Sequence, residues 1–592
     1  DISVRKTIGM AGKSPGSYPD AVLMELFLID AIGPFFRGYE KSRVNWSKIP
    51  FTDLAGADES RWTCIEADLR RFAREISAQG YNAVTLDDLA HLAPHPLHES
   101  EVAARIAIFR EKFRRFFDLL HGEFGLQIYL TTDVLPMTPA VAAGLEKGPA
   151  VLENYYRDLV CGVLDDFPQL AGLILRIGES DGNDVSDPIR TRLHLTTAKE
   201  TNRLLHLLLP EFEKRGRNLI LRTWTVGAHR IGDLIWHSGT LAQTLKGVDS
   251  PNFIVSMKHG ESDFFRYLPL NRAFFRVPHK KIIEMQARRE YEGAGEYPSF
   301  IGRDCERFAR ELAAADNMVG MSVWCQTGGW HRFRRLAFLE EGNRDVWIRL
   351  NTAAAIGVFK HGKSVEEIVG EFTPHVPAVL ELLRHSDTAI HELLYIEEFA
   401  RQKLFFRRVR VPPILHMVWD SIFINHGVRK IVSHFITDPE RALRAGEAAM
   451  ELFPRMTQLA ADAELPVDDI EHMRDAFGLI LLARRYYFLP FEQTLVEEIQ
   501  LAKKRYKLRW PKDGTRQRYR IKVSFEPFHL KRRTIAWAVG LMIRKKSGYR
   551  LFDHFFTLSL LGFVYRTFRA RDPQSMPKFM RESAMGVDVL FK

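Results

Sequence analysis

Cysteine and long apolar runs are both scarce in this chain of 592 residues. The four cysteines lie far apart and no Cys-x-x-Cys occurs, which excludes a disulfide framework and a zinc ribbon. No run reaches the roughly 18 uncharged apolar residues of a spanning helix. The nearest, Leu551 to Tyr565, contains Asp553 and His554, so no membrane span is expected. Because the first residue is Asp1, a cytoplasmic location and a periplasmic or secreted one after signal removal both stay open.

Charge is unevenly distributed along the chain. Residues 501–592 contain 23 Lys and Arg against 6 Asp and Glu, a net charge of +17, so the overall +10 leaves −7 for the first 500 residues. A hydrophobic content of 46% with 27% charged residues is typical of globular proteins and excludes wholesale disorder. The length predicts one large domain and at least one more.

From residue 21 to about 326, short apolar runs alternate with amphipathic, helix-like stretches. Eight strand candidates alternating with helices predict parallel βα units that close as a (β/α)8 TIM barrel. An open doubly wound sheet is the alternative, but no Gly-x-Gly-x-x-Gly follows the first strand. The predicted strands are Val22–Ile32, Ala83–Leu86, Leu126–Leu130, Gly172–Ile177, Asn218–Thr223, Asn252–Met257, Lys281–Met285 and Met318–Trp324.

Beyond Asn343 the alternation ends and helical periodicity takes over. We therefore predict a short N-terminal extension (1–20), a catalytic barrel (21–342) and an all-helical C-terminal domain (343–500). The last segment (501–592) is basic and rich in aromatic residues, and we expect it to pack on the rest of the molecule. Its partner would be the barrel, the helical domain or a second copy of the chain, which leaves a homodimer open.

Polar and aromatic residues follow almost every predicted strand, and in a barrel these positions share one rim. Carboxyl groups, aromatic rings and cations together are typical of a sugar site. Glycoside cleavage needs one protonated and one ionised carboxyl group, and Arg or Lys can bind a substrate carboxylate. The sequence at the rim therefore indicates a carbohydrate-active enzyme.

The block that spans strands six and seven, MKHGESDFFRYLP followed by EMQARREYEG, resembles the α-glucuronidases of glycoside hydrolase family 67. Further motifs follow the family in order: RGYEKS, AREISAQGYNAVTLDD, GLQIYL, FPQLAGLILRIGESDG, LILRTWTV and NTAAAIGVFKHGKSVEEI. The chain departs from the family by having no room for its small N-terminal domain, and by an altered motif around the acid. A sister family with the same barrel is therefore an open alternative.

The resemblance implies site residues and their roles. Glu179 resembles the general acid, although Asp181 is an alternative for that role, and Asp263 with Glu290 resembles the pair that activates water. Two tryptophans of the rim are either sugar platforms or core aromatics. The residues that the resemblance and the rim place at the substrate are Arg37, Asp87, Asp88, Arg176, Arg222, Trp224, Lys258 and Trp324.

The expected function is an exo-acting, inverting glycoside hydrolase that releases an α-linked glucuronic or 4-O-methylglucuronic acid from oligosaccharides. No metal and no cofactor are expected, because two carboxyl groups suffice for this chemistry. Two alternatives stay open. A uronate-specific polysaccharide lyase would use His259 or Tyr291 as its base. A non-catalytic carbohydrate-binding protein would use its basic tail on nucleic acid or an anionic membrane, but no nucleic-acid partner is expected.

Overall fold

A computed structural model describes the following residues of the chain: 24–41, 44, 49–133, 135–145, 149–177, 187–191, 194–225, 231, 234–328, 334–414, 417–418, 421–512, 516, 518–525, 537, 540–546, 548 and 550–551.

Eight parallel strands form a closed barrel, in which β1 lies between β2 and β8 and every other strand pairs with its neighbours in the chain. The TIM-barrel prediction is therefore confirmed. Each predicted strand overlaps one of those observed. The strands are β1 Leu26–Asp30, β2 Ala83–Asp87, β3 Gln127–Asp133, β4 Leu170–Arg176, β5 Asn218–Arg222, β6 Phe253–Lys258, β7 Lys280–Gln286 and β8 Met318–Trp324.

The strands bury both of their faces, which is why they read as continuous apolar runs. A small cluster made of residues from seven strands, including Leu28, Tyr129 and Ile220, fills the barrel interior, while their sequence neighbours belong to the main core. Where strands approach most closely only glycine fits. A Cβ at Gly320 would collide with the carbonyl oxygen of Leu26 on the adjacent strand.

Helices cover the outside of the barrel. The longer of the two described helices between β1 and β2 spans Glu59–Gln79. Asp58 caps its N-terminus by accepting a hydrogen bond from the Arg61 N–H, and Gly80, with φ of 106°, caps its C-terminus. Residues 259–279, which are all described, contain one 3₁₀ turn, Arg272–Phe275, in place of a helix between β6 and β7. The helices are α1 Phe51–Ala55, α2 Glu59–Gln79, α3 Ser100–Phe117, α4 Pro139–Gly144, α5 Pro149–Asp166, α6 Ala198–Lys214, α7 Ser238–Thr244 and α8 Gly302–Leu312.

A helical region follows the barrel, as predicted. Its first helix packs on α8, and Ser364 with Glu367 forms the capping box of the helix that begins at Val365. In the described residues no helix is long and apolar enough to cross a membrane. The helices are α9 Val346–His361, α10 Val365–Phe372, α11 Val376–Ala389, α12 Glu397–Ala400, α13 His426–Phe435, α14 Pro439–Met450, α15 Phe453–Asp462, α16 Val467–Phe488 and α17 Gln493–Arg509.

Short strands interrupt the helical region, which differs from the all-helical expectation. Ile422 and Ile424 alternate along one short strand and are buried. This strand pairs with another almost 100 residues later in the chain, and local periodicity cannot indicate so distant a partner. These strands are β9 Phe405–Phe406, β10 Val409–Arg410, β11 Met417–Val418, β12 Ser421–Asn425, β13 Arg520–Ser524 and β14 Ile543–Arg544. The last two belong to the basic C-terminal segment, and they pair with β12 and β9.

Buried charges connect the barrel to the rest of the chain. Arg335, from the loop after β8, lies 2.6 Å from the Asp469 carboxylate on α16. The Trp347 indole donates to Asp469 at 2.7 Å, and Arg516 of the C-terminal segment donates to it at 2.8 Å. Arg516 also lies 3.4 Å from Glu296, which belongs to the loop after β7. One ionic network therefore joins two barrel loops, the helical region and the basic segment.

Candidate active site

All eight barrel strands end in a buried side chain that can form polar contacts. Because parallel strands in a closed barrel all end on the same side, these eight side chains surround one opening. The terminal residues are Asp30, Asp87, Asp133, Arg176, Arg222, Lys258, Gln286 and Trp324.

Asp263 lies on the loop after β6 and is held by three donors. The Lys258 ammonium contacts its Oδ1, and the Tyr291 hydroxyl donates to its Oδ2. The backbone N–H of Phe264 adds a hydrogen bond of 2.9 Å to Oδ1. The Tyr291 ring stacks on Phe265, with ring centroids 4.0 Å apart, so the hydroxyl has a fixed position. The carboxylate of Asp263 is therefore pinned in one orientation.

Glu290 lies on the loop after β7, where its side chain is buried. Gln286 donates from Nε2 to Glu290 Oε1 at 3.2 Å, and its Oε1 accepts from the Glu290 N–H at 2.8 Å. Burial, together with the negative charge of Asp263, raises the pKa of Glu290 to about 7. Gly328, with φ of 132°, closes over this pair, and a Cβ there would lie 3.0 Å from Glu290 Oε2. The result is a carboxyl group that can gain or lose a proton near neutral pH.

Lys258 is enclosed by aromatic rings. Its Nζ lies 3.9 Å from the centroid of the Trp224 ring and 4.1 Å from that of Phe264. Burial lowers the pKa of the Lys258 ammonium, whereas Asp263 opposes that shift. Trp224 is half-buried, so the ring has a surface left for other contacts.

Arg222 and Glu284 form a buried ion pair across β5 and β7. Arg222 Nε donates to both carboxylate oxygens, at 2.8 and 3.1 Å. The Ser256 hydroxyl and the Trp324 indole also donate to Glu284, at 2.6 and 3.2 Å. Although burial opposes it, Arg222 and Lys258 lower the pKa of Glu284. Arg222 Nη1 is buried without a hydrogen-bond partner in the described part of the chain.

Sequence reasoning missed Glu284. Glu284 is a carboxylate inside an otherwise apolar strand, and it lies two residues before Gln286, so both side chains are on the same face. That pattern could have identified Glu284 as a site residue.

Acidic residues crowd the other side of the opening. Arg176 Nε lies 2.9 Å from Asp133 Oδ1. Burial raises the pKa of Asp87 well above its usual range; Arg176 opposes this shift, while Asp88 and Asp133 add to it. Asp88 accepts a hydrogen bond of 3.1 Å from the Ala90 N–H, so its side chain caps the 3₁₀ turn that follows β2.

Asp30 is a second carboxylate that sequence reasoning missed. Its Oδ2 accepts from the backbone N–H groups of Gln326 and Thr327 at 3.1 and 2.6 Å, and from the Thr327 hydroxyl at 2.7 Å. The end of β1 thereby holds the loop after β8 in place. This contact orients the loop that also carries Gly328, the residue beside Glu290.

Arg37, one of the predicted site residues, does not lie with the others. Arg37 pairs with Asp68 on α2, at 3.0 Å from Nη2 to Oδ1, and its side chain is 45% exposed. Glu179 lies outside the described residues, as does its alternative, Asp181. Their roles stay predictions. The structure brings together Asp263, Glu290 and Lys258, and it places Arg222 with Trp324.

The site can exchange protons and hold a polar ligand against aromatic rings. In the described residues, no group of three or more His, Cys, Asp and Glu side chains is arranged to hold a metal ion. The group with a pKa near neutral is Glu290, and the charges that influence that pKa most are those of Asp263 and Lys258.

Comparison with known proteins assigns no family. No protein-family model matches the chain, and no curated protein matches it. Among solved structures, the chain is similar to CpGH84B, with 9% identity, 83% of this chain and 71% of that chain covered, and a TM-score of 0.37. A variant of the O-GlcNAc hydrolase of Thermobaculum terrenum shows 10% identity, coverage of 76% and 88%, and a TM-score of 0.36. The homocysteine methyltransferase MmuM of Escherichia coli shows 11% identity, coverage of 56% and 94%, and a TM-score of 0.28. Similarities of this size do not select a function.

Proposed function

We propose that the chain is a glycoside hydrolase in which Glu290 and Asp263 activate a water molecule at the mouth of the barrel. The observation that carries this proposal is the carboxyl pair itself. Glu290 has a pKa of about 7 beside a fixed Asp263, and both lie where barrel enzymes hold their substrates. A general base works best when its pKa lies near the operating pH. Glu290 fits that requirement.

The two carboxyl groups have different tasks in this proposal. Both oxygens of Asp263 already accept hydrogen bonds, so this residue positions the water and supplies negative charge. Glu290 takes the proton from the water. The general acid is Glu179, by resemblance; it follows the last residue of β4 by three positions in the sequence and lies outside the described residues. An inverting reaction requires carboxyl groups roughly 6.5–9.5 Å apart, so that water fits opposite the leaving group.

The proposed substrate is an oligosaccharide with a terminal α-linked uronic acid, of the glucuronic or 4-O-methylglucuronic type. The resemblance supports this finer part of the proposal, and so does Arg222 Nη1, a buried donor without a partner in the described residues. Arg222 and Lys258 already pair with Glu284 and Asp263. The substrate carboxylate would therefore bind to the remaining donors of Arg222 and leave the Glu284 pair intact.

The lyase alternative has weaker support. His259 Nε2 lies 3.1 Å from the carbonyl oxygen of Phe265, and its ring stacks on Phe308. Burial lowers the pKa of His259 to about 4. The Tyr291 hydroxyl donates to Asp263. A pKa of about 4 makes His259 a weak base, and the Tyr291 proton is already shared with Asp263.

The test is incubation with a panel of oligosaccharides that carry α-linked uronic acids, with neutral hexosides as comparison. Release of the free uronic acid with inverted configuration, followed by proton NMR, supports the proposal. Glu290→Gln should abolish release. Glu261→Gln serves as the matched control, because Glu261 pairs with Lys403 on the same side of the barrel. An unsaturated product that absorbs in the ultraviolet would show a lyase, and no turnover of any substrate would contradict the proposal.

A further inference from the structure

Exposed apolar side chains concentrate in one part of the chain. Nine large hydrophobic side chains are exposed among the described residues, and seven of them lie between residues 489 and 551. Leu508 is 73% exposed, Leu551 78% and Trp537 67%. Soluble surfaces carry single exposed apolar residues routinely, but seven within one short part of the chain are unusual. The seven are Leu489, Phe491, Leu501, Leu508, Trp537, Met542 and Leu551.

Helix α17 shows how these residues are arranged. Ile499 and Tyr506 are buried on one side of the helix, and the Tyr506 hydroxyl lies 3.0 Å from His472 Nε2 on α16. Leu501 and Leu508 are two turns apart on the opposite side. Lys504 and Arg505 lie between them on that same side and are exposed. We call this stripe, Leu501, Lys504, Arg505 and Leu508, the α17 outer face.

The exposed residues beyond α17 have the same composition. Trp537 and Met542 are exposed, and Lys545 and Lys546 are exposed directly after the short strand β14. That strand pairs with Phe405–Phe406, so this part of the chain is attached to the helical region. Large apolar side chains next to basic ones thus occur twice in the segment whose net charge is +17 over residues 501–592.

We propose that the α17 outer face docks on the surface of an anionic lipid bilayer and that the exposed residues Trp537, Met542, Lys545, Lys546 and Leu551 contact the same bilayer. Leucine, methionine and tryptophan side chains would enter the boundary between headgroups and acyl chains, while lysine and arginine contact lipid phosphates. Long basic side chains suit this position, because their stems pack against apolar groups while their charges remain at the surface. The chain would then bind peripherally, with the barrel outside the bilayer.

Charge selects the bilayer over other occupants. A second copy of the chain that docked through the same face would bring one +17 segment against another, which is electrostatically unfavourable. Nucleic acid would account for the basic residues, but it leaves Leu501 and Leu508 without an apolar partner. An anionic bilayer offers both a negative surface and an apolar layer beneath it. This inference is independent of the proposed catalytic function.

The experiment is sedimentation of the full chain with vesicles of phosphatidylcholine, with and without phosphatidylserine, at low and high salt. We expect binding to the phosphatidylserine vesicles that weakens as salt rises. Leu508→Glu and the double variant Lys504→Glu/Arg505→Glu should each raise the half-saturating lipid concentration by roughly tenfold or more. Phe275→Glu is the matched control, because Phe275 is 46% exposed but lies on the β6–β7 connection. It should bind as the unmodified chain does.

Circular dichroism should show unchanged folding of all the variants, because their side chains are exposed. The proposal is overturned if the chain sediments with no vesicle, if it binds neutral vesicles equally, or if Leu508→Glu binds normally. A dimer that Leu508→Glu dissociates would identify a second copy as the occupant. Nucleic acid would be identified as the occupant if the chain binds an oligonucleotide but no vesicle. In that case Lys504→Glu/Arg505→Glu should abolish the binding and Leu508→Glu should preserve it. Either result would also overturn the proposal.

Discussion

Glu290 and Asp263 lie on the loops after the neighbouring strands β7 and β6, and the charge of Asp263 adds to burial in raising the pKa of Glu290 to about 7. Asp263 itself is held by Lys258 and Tyr291. One carboxyl group is therefore fixed by its hydrogen bonds, and the other is poised to exchange a proton. This difference underlies the first two predictions.

The pH dependence of catalysis should follow Glu290. As a base it acts only when ionised, so kcat/KM should rise with pH and reach half its maximum near pH 7. Replacing Asp263 by Asn removes a neighbouring negative charge, which favours ionised Glu290. The residual activity of Asp263→Asn should therefore have its midpoint at lower pH. A midpoint that stays at 7 in this variant would show that the two groups are not coupled.

Stability should also report the Glu290 pKa, without any substrate. Glu290 releases its proton near pH 7 in the folded chain, but near the ordinary value of 4.5 in the unfolded chain. The free energy of unfolding therefore falls as pH rises from 4.5 to 7. The loss is about 3 kcal/mol for a shift of this size. Glu290→Gln stays uncharged and should lose less stability between pH 5 and pH 8. Calorimetric melting temperatures of the variant and the unmodified chain, measured across that range, check the sign.

Arg222 should contribute to both folding and substrate choice. Arg222→Ala leaves Glu284 buried without its cation, and removing one partner of a buried pair costs about 3–5 kcal/mol. The double variant Arg222→Met/Glu284→Gln removes both charges and should recover much of that loss, as measured by thermal unfolding. Its kcat/KM for a uronoside should still fall by roughly ten- to a hundredfold, because charge-assisted bonds to the substrate are lost. A matched neutral hexoside should be affected far less; equal losses would make Arg222 purely structural.

The general acid can be identified by its leaving-group dependence. Glu179→Gln should slow the cleavage of sugar leaving groups by roughly 10²–10⁴, while acidic phenol leaving groups are partly spared because they need little protonation. Glu290→Gln should slow both classes, since every substrate needs activated water. Steady-state kinetics with paired aryl and sugar substrates separate the two patterns. If Asp181→Asn shows the phenol-sparing pattern instead, Asp181 is the acid.

The C-terminal segment should be required for a stable barrel. Arg516→Met removes charge-assisted hydrogen bonds from a buried network in which Arg335 still pairs with Asp469, and we expect a loss of about 1.5–3 kcal/mol. Deleting residues 501–592 removes Arg516 and also β13, the partner of β12. That truncation should be insoluble or strongly destabilised, as judged by expression and thermal unfolding. Lys545→Met, at an exposed basic position of the same segment, is the matched control. A soluble, fully active truncation would contradict this prediction.

Aromatic residues of the basic segment differ in burial. Tyr519 is buried, and its N–H donates to the Tyr506 hydroxyl at 3.0 Å. Trp510 is half-buried and donates to Asp475, while Trp537 is exposed. Tyr549, and the aromatic residues beyond Leu551, lie outside the described residues. Composition predicted packing of the whole segment, but it cannot distinguish a ring that meets the core from one that faces outward.

The amino-acid sequence by itself determined the barrel. Strands buried on both faces must be continuous apolar runs, and the amphipathic segments between them must be helices, so local periodicity carries the architecture. The same logic located the polar strand ends, because a residue such as Lys258 or Arg222 directly after an apolar run lies at the rim. The family resemblance singled out Asp263 and Glu290 within that rim.

Only the tertiary structure decided how the charges pair. Arg222 meets Glu284 because β5 and β7 both border β6, and 62 residues separate the two side chains along the chain. Asp30 serves the loop after β8 because closure of the barrel brings β1 beside it, 297 residues away at Thr327. The β12–β13 pairing depends in the same way on distant partners. Local propensity does not indicate which strands become neighbours. The pairing of charged side chains depends on which strands are adjacent and on the register between them.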